Sequence, residues 1–371
     1  MSASPQAAPE PKIHRYPCPG CAASLLFEPK DGCLTCPYCG RSEQIPAAAA
    51  QVEERSYEAY LRERPEQMAR LSAGAQEIAC KSCGAVVTFE PPAVAGECPF
   101  CAVKIVTQAK SADPLLAPEG TLPFRVTGAQ ATSEIRRWLA SRWFAPDALK
   151  RLARPEAIQG VYLPYWTYDA YTTSHYTGER GEYYYETETY TETDSEGRSQ
   201  TRTREVRRTR WYPVSGTVAR WFDDVLVLAT KWLPPQRLDS LEPWDLAELK
   251  PYDPAFLAGY QAQRYQVGLA DGFERARQKM AGVIRGDVAA DIGGDEQRVH
   301  DVATSYSGVT FKHLLLPVWI SAYRFQQKAF QVMVNARTAE VQGARPYSFW
   351  KIAFLVLAIV LAILIIASLS R

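Results

Sequence analysis

Histidine is scarce in this sequence. Only His14, His175, His300 and His313 occur in 371 residues, and none stands at metal-ligand spacing from another or beside a nucleophile motif. The chain also lacks G-x-x-x-x-G-K-[S/T], H-E-x-x-H, G-x-S-x-G and G-x-G-x-x-G. These absences remove the usual P-loop motors, zinc hydrolases, α/β-hydrolases and dinucleotide folds from expectation. Asp295-Glu-Gln-Arg298 looks superficially like a helicase acidic motif, but without a phosphate loop it reads as a polar strand edge or turn. Excess charge is missing too. A net charge of +1 and a pI near 7.5 give no global pull toward nucleic acid or anionic lipid. No apolar segment opens the chain: residues 1–12, MSASPQAAPEPK, are small, polar and Pro-rich. Residues 1–15 are therefore expected to be a disordered leader rather than an export signal. No catalytic residue is nominated, and the expectation is a protein that is not an enzyme.

What is abundant is cysteine, nine in all. In a reducing cytosol, thiolates favour metal over disulfides. Cys18-Pro-Gly-Cys21 is followed by Cys36-Pro-Tyr-Cys39, and Cys80-Lys-Ser-Cys83 by Cys98-Pro-Phe-Cys101. Each ligand of the second set lies 62 positions after its counterpart, as Cys80 does after Cys18, and Phe27-Glu28-Pro29 recurs as Phe89-Glu90-Pro91. This is an internal repeat with metal-ligand spacing. A C-x-x-C turn aims two sulfurs at one point, and two such turns close a tetrahedron around Zn²⁺ at about 2.3 Å per bond. Four thiolates leave no open coordination position, so the expected role is structural, with two zinc ions supplying folding energy to two small ribbons. Gly40 and Gly84 follow knuckles and suit the positive φ such turns need. Cys33 is the ninth cysteine. Its counterpart 62 positions on is Ala95, which makes it a spare thiol.

A second feature is the run Ile352–Leu369, IAFLVLAIVLAILIIASL, without a charge. As a helix it spans about 27 Å, close to the hydrocarbon thickness of a bilayer. Thirteen of its residues are Ile, Leu, Val or Phe, which favours insertion by roughly 4–8 kcal/mol. Arg345 and Lys351 precede the run, Tyr347 and Trp350 are placed for the interface, and Arg371 alone lies beyond. Positive-inside logic then expects a single-pass tail anchor in a bacterial inner (cytoplasmic) membrane with the body in the cytoplasm.

The expected organisation is multidomain: zinc ribbon one at 16–45, a helical spacer at 46–76, zinc ribbon two at 77–110, a linker at 111–121, an α+β body at 122–348 and the transmembrane segment at 349–371. Residues 50–73 read as a solvated charged helix interrupted by Pro65. In the body, a helix is predicted over 129–142 with Ile135, Trp138 and Leu139 on one face, Thr132 or Ser133 as its cap and no capping box. Further helices are predicted near 254–266 and 268–290, and strands at 160–171, 299–304, 320–325 and 330–335. Between Glu179 and Arg210, acidic Glu186, Glu188, Glu192 and Asp194 share parity with basic Arg198, Arg202, Arg204, Arg208 and Arg210. A three-residue turn at Ser195-Glu196-Gly197 would set Asp194 opposite Arg198 and Glu188 opposite Arg204, a long antiparallel hairpin. The alternative for this run is contact with nucleic acid or phospholipid headgroups. Tyr162-Leu-Pro-Tyr-Trp166 is echoed by Leu315-Leu-Pro-Val-Trp319, which suggests a duplicated body.

The ribbons, the repeated L-P-x-W and Val334-Asn-Ala-Arg-Thr-Ala-Glu-Val-Gln-Gly-Ala-Arg-Pro-Tyr-Ser348 before an apolar run resemble one bacterial family. Its members are often labelled primosomal protein N′ (replication factor Y)-like or TFIIB-type zinc ribbon. Many relatives carry one ribbon where this sequence has two. The primosomal label implies a helicase, and the motor motifs are missing here. Some relatives resemble the zinc-ribbon membrane protein encoded beside phage-shock protein A and SPFH (flotillin-like) proteins. That resemblance implies a membrane-stress or membrane-domain role, as an adaptor or scaffold recruiting such partners. A membrane-tethered nucleic-acid-binding protein is the alternative.

Overall fold

The structure is a computed structural model that describes residues 16–46, 52–63, 76–80, 86–89, 95–97, 104–106, 110–111, 116–146, 158–193, 199–231, 233, 235–325 and 328–369. The leader at 1–15, Pro65, the Ser195–Gly197 turn with Asp194 and Arg198, and Cys83, Gly84, Cys98 and Cys101 lie outside the described residues.

The first cysteine segment folds as a three-stranded sheet of β1 (Leu26–Glu28), β2 (Cys33–Thr35) and β3 (Ser42–Glu43). After it come β4 (Arg55–Ser56), α1 (Tyr57–Glu63), β5 (Gln76–Ala79), β6 (Val86–Phe89), β7 (Ala95–Glu97), β8 (Lys104–Val106) and β9 (Lys110–Ser111). Two pairings of the first segment recur at the 62-residue offset: Pro17 bridges Ser24 as Ala79 pairs Val86, and Leu34 pairs Glu43 as Gly96 pairs Ile105.

The body is an α+β unit around a large, mainly antiparallel sheet. Its elements are β10 (Gly120–Thr121), α2 (Gly128–Ser141), β11 (Ile158–Thr193), β12 (Ser199–Leu228), α3 (Pro235–Asp239), β13 (Lys250–Pro251), β14 (Gln261–Ala262), α4 (Leu269–Ile292), β15 (Glu296–Phe325), β16 (Lys328–Asn335) and β17 (Val341–Gly343). The helix α5 (Phe349–Leu369) follows. At about 3.3 Å per residue, the 36 residues of β11 run for more than about 100 Å.

The L-P-x-W echo marks the centre of this sheet. Its two copies lie side by side, antiparallel, with Leu163 opposite Leu316, Pro164 opposite Leu315 and Tyr162 opposite Pro317. Everything around that pair occurs twice. Trp166 Nε1 donates to Val267 O at 2.9 Å and Trp319 Nε1 to Val126 O at 2.7 Å, each carbonyl lying one residue before a helix N-cap. Ala229 N donates to Pro164 O and Ala336 N to Pro317 O. Ala229 O accepts from Gln266 N and Val267 N, as Ala336 O accepts from Arg125 N and Val126 N. Short strand β14 runs parallel to β11, as β10 does to β15. The body is thus two βαββ units related by a pseudo-two-fold axis through the Leu163–Leu316 pair, and each unit lends its first strand to the other.

Residues alternate across the central pair, and both faces are covered. Val161, Leu163 and Tyr165 join Leu314, Leu316 and Val318 in a core closed by Leu233, Leu238 and Leu241. On the other face, α2 buries Ile135, Trp138 and Leu139 as expected, and α4 buries Ala276, Met280, Ile284, Val288 and Ile292.

Several expectations change. Helix α2 begins earlier, because Thr127 and Gln130 form a complete capping box; Thr132 and Ser133 lie inside the helix. The predicted 254–266 helix is absent. Pro254–Leu257 makes a 3-10 turn capped by Asp253, and Gln261–Ala262 is a strand held by Val161 and Tyr162. Here a tertiary partner outweighs helical periodicity. Residues 116–121, expected as linker, belong to the body: Leu116 is buried and β10 pairs with both β13 and β15. The spacer is not simply solvated either. β4 joins β15, and Tyr57 and Tyr60 pack edge-on against Tyr168 and Phe311.

The expected hairpin is present. Beyond Gly181, β11 leaves β15 and continues with β12 as a two-stranded arm with Glu188 opposite Arg204. Arg202 pairs with Glu192, Arg204 with Glu188, and Arg208 with Glu186 and Glu188 at 2.6–3.1 Å. Arg204, Arg207 and Arg210 also lie over the rings of Tyr190, Tyr183 and Tyr184.

Candidate metal centre and apolar helix

Each C-x-x-C turn is built by the same backbone bonds. Cys18 N donates to Ala23 O as Cys36 N does to Arg41 O; Ala22 N donates to Cys18 O as Gly40 N does to Cys36 O. The closing residue of each turn has positive φ, 59° at Ala22 and 71° at Gly40. Glycine adopts that conformation freely, while alanine is strained there.

The two turns bring Cys18, Cys21, Cys36 and Cys39 together, with all four sulfurs within 4.8 Å of one another. The Cys18–Cys39 and Cys21–Cys36 sulfurs are 3.4 Å apart. A tetrahedron with bonds of about 2.3 Å has edges of about 3.8 Å, so the group fits a metal ion such as Zn²⁺ in donor type, number and spacing. Its protonation shows the same demand. The Gly20 amide draws the Cys18 thiol below its ordinary value, and the Cys39 amide draws Cys36 down to about 6. At Cys21 the Ala23 amide favours the thiolate, yet the bond with Cys36 and burial push the thiol up to about 12. Four anions this close need a cation between them.

Cys33 stands outside the group. It is buried, with Sγ 3.6 Å from Thr35 Oγ1. Of the second set, Cys80 is buried in the core with Leu122 and Leu163; its three companions lie outside the described residues.

The metal group is joined to the body, which the sequence did not signal. Cys18, Leu25, Phe27, Leu34 and Cys36 share one hydrophobic cluster with Phe124, Tyr162 and Trp319. Phe27 N donates to Ala258 O at 2.9 Å, and the Phe27 ring meets Phe256 edge-on at 5.6 Å. The next residue, Gly259, has a φ of 89° and lies against Leu26.

The other site is α5. Its segment Phe349–Ser368 has a mean hydropathy of 2.9 and no buried share, so it is not a core helix of this fold. By length and composition it is able to cross a membrane.

The chain is 26% identical over 356 residues to the uncharacterized protein YdjG of Bacillus subtilis (strain 168), a match covering 92% of each chain. No family model matches the chain. No solved structure matches it.

Proposed function

We propose that this protein is a non-catalytic adaptor, anchored in a membrane by α5, whose zinc ribbons and β body recruit protein partners at the cytoplasmic face. The observation that carries the reading is the union of the four-sulfur group with the body core, in a chain that also carries an apolar helix left unburied by the described residues. A closed thiolate site built into a scaffold stabilises a shape rather than activating water. In this reading Cys80, Cys83, Cys98 and Cys101 hold a second zinc ion, supported by the recurring strand pairings. Phage-shock protein A-like or SPFH-like proteins are the partners that the family resemblance suggests.

The neutralised arm favours protein over nucleic acid, since the Arg202, Arg204 and Arg208 guanidinium groups are engaged by Glu186, Glu188 and Glu192. Affinity purification of the full chain from detergent-solubilised membranes should recover a stoichiometric protein partner. Recovery of intact bait alone, together with salt-dependent binding to DNA or RNA, would replace the adaptor by the nucleic-acid-binding alternative.

A further inference from the structure

The loop after α2 is tied to the first turn of α5. Ser348 N donates to Phe144 O at 2.8 Å, and Lys351 Nζ donates to Ala145 O at 3.1 Å. Trp143 sits in this loop against the Phe144 ring, and it is 58% exposed while Ala145 beside it is fully buried. Tyr347, Phe349 and Trp350 are exposed at the adjoining start of α5. Exposed tryptophan is costly in water, but at the edge of a bilayer its ring and N–H are both accommodated.

Two cations lie beside it. The guanidinium groups of Arg142 and Arg345 lie over the Trp138 ring at 5.0 and 5.8 Å. Neither has a carboxylate partner among the described residues, and the Nε of each is buried without an acceptor. A guanidinium held over a ring without a carboxylate partner keeps its outer donors for an anion, and phosphate matches that fork.

We propose that this loop is a second membrane contact, separate from the spanning helix. Trp143 seats at the headgroup level of the bilayer entered by α5, and Arg142 and Arg345 bind the phosphate of an anionic phospholipid. The inference rests on reading α5 as membrane-inserted. It adds that the body is held against the surface in one orientation, since one helix alone leaves rotation free while two contacts fix it.

The test uses the full chain reconstituted into phosphatidylcholine vesicles with or without phosphatidylglycerol. The photo-cross-linker p-benzoylphenylalanine replaces Trp143, Phe354 or Trp221 in separate preparations. Phe354 lies within α5, and Trp221 is a similarly exposed tryptophan on β12. Lipid adducts at positions 143 and 354 should exceed those at 221 by about fivefold or more. Adduct at 354 with only the 221 level at 143, or a protein adduct at 143, overturns the second contact and leaves the anchor standing. No adduct at 354 overturns both. With the cross-linker at 143, the added pair Arg142→Ala and Arg345→Ala should abolish the preference for phosphatidylglycerol-containing vesicles. A preference that survives overturns the phosphate assignment.

Discussion

Single residues show how the sequence divides between metal, strain and buried charge. Substituting Cys36 by Ser removes a ligand held by two knuckle amides, so atomic emission should find one zinc fewer per chain, whereas Cys33→Ser should leave the count unchanged. Ala22→Gly relieves a positive φ and should stabilise the first ribbon by about 0.5–1 kcal/mol in metal-loaded thermal melts. Half-buried Arg337, whose guanidinium is bidentate to Asp245 and also donates to Pro123 O, explains one position of the V-N-A-R-T segment. Its loss in Arg337→Ala strands the carboxylate and should cost about 2–3 kcal/mol in denaturant titration. Burial pushes Glu119 up to about 7, against the His313 amide and Arg55, and pushes the His313 ring down to about 4. The raised carboxyl favours the folded protein at low pH, a contribution lost as pH climbs from about 4.5 to 7. The lowered imidazole acts oppositely, its stability appearing as pH climbs from about 4 to 6.5. Glu119→Gln should therefore unmask a rise of about 1–2 kcal/mol across pH 4–6.5 in urea melts, where the unmodified protein is flatter.

Among elements, those with strong local patterns were legible. The 62-residue repeat named the first metal group, the shared parity of Glu188 and Arg204 set the hairpin register, and α4 was found within two residues of its ends. Elements fixed by distant partners were not. The segment Gly120–Thr121 carries no strand signature, and it is ordered because Leu314 and Leu315 offer it a ladder. Gln261–Ala262 sits in a helical pattern but meets Val161 and Tyr162 first. The L-P-x-W echo was visible as a repeat, while the pairing of its copies with each other was not, because nothing in two similar strings fixes their distance in space. The two-fold arrangement gives a paired expectation. Trp166→Phe and Trp319→Phe each remove one indole bond to a carbonyl preceding a helix. Each should cost about 1–2 kcal/mol, with the two values alike.

At the scale of the molecule, metal group, sheet and α5 connect by short physical links. The first ribbon shares a core with α2, and the loop that ends α2 is bonded to the start of α5. With zinc in the four-cysteine group as proposed, a chelator should therefore lower the melting temperature of the body as well as unfold the ribbon, read by near-UV dichroism of the buried tryptophans. In the arm from Glu182 to Arg210, the described strand ladder runs between β11 and β12 alone, tied at its base where Tyr183 N donates to Asp295 Oδ2.

The Leu163–Leu316 seam also bears on descent. Like residues facing each other across antiparallel strands are what two identical polypeptides produce when they meet about a dyad. The protein has the form of a homodimer written in tandem. Fusion turns a concentration-dependent encounter into first-order folding, and it lets the two copies diverge. In one copy the described strand pairing reaches Phe325 and Lys328, while in the other it extends to Thr193 and Ser199.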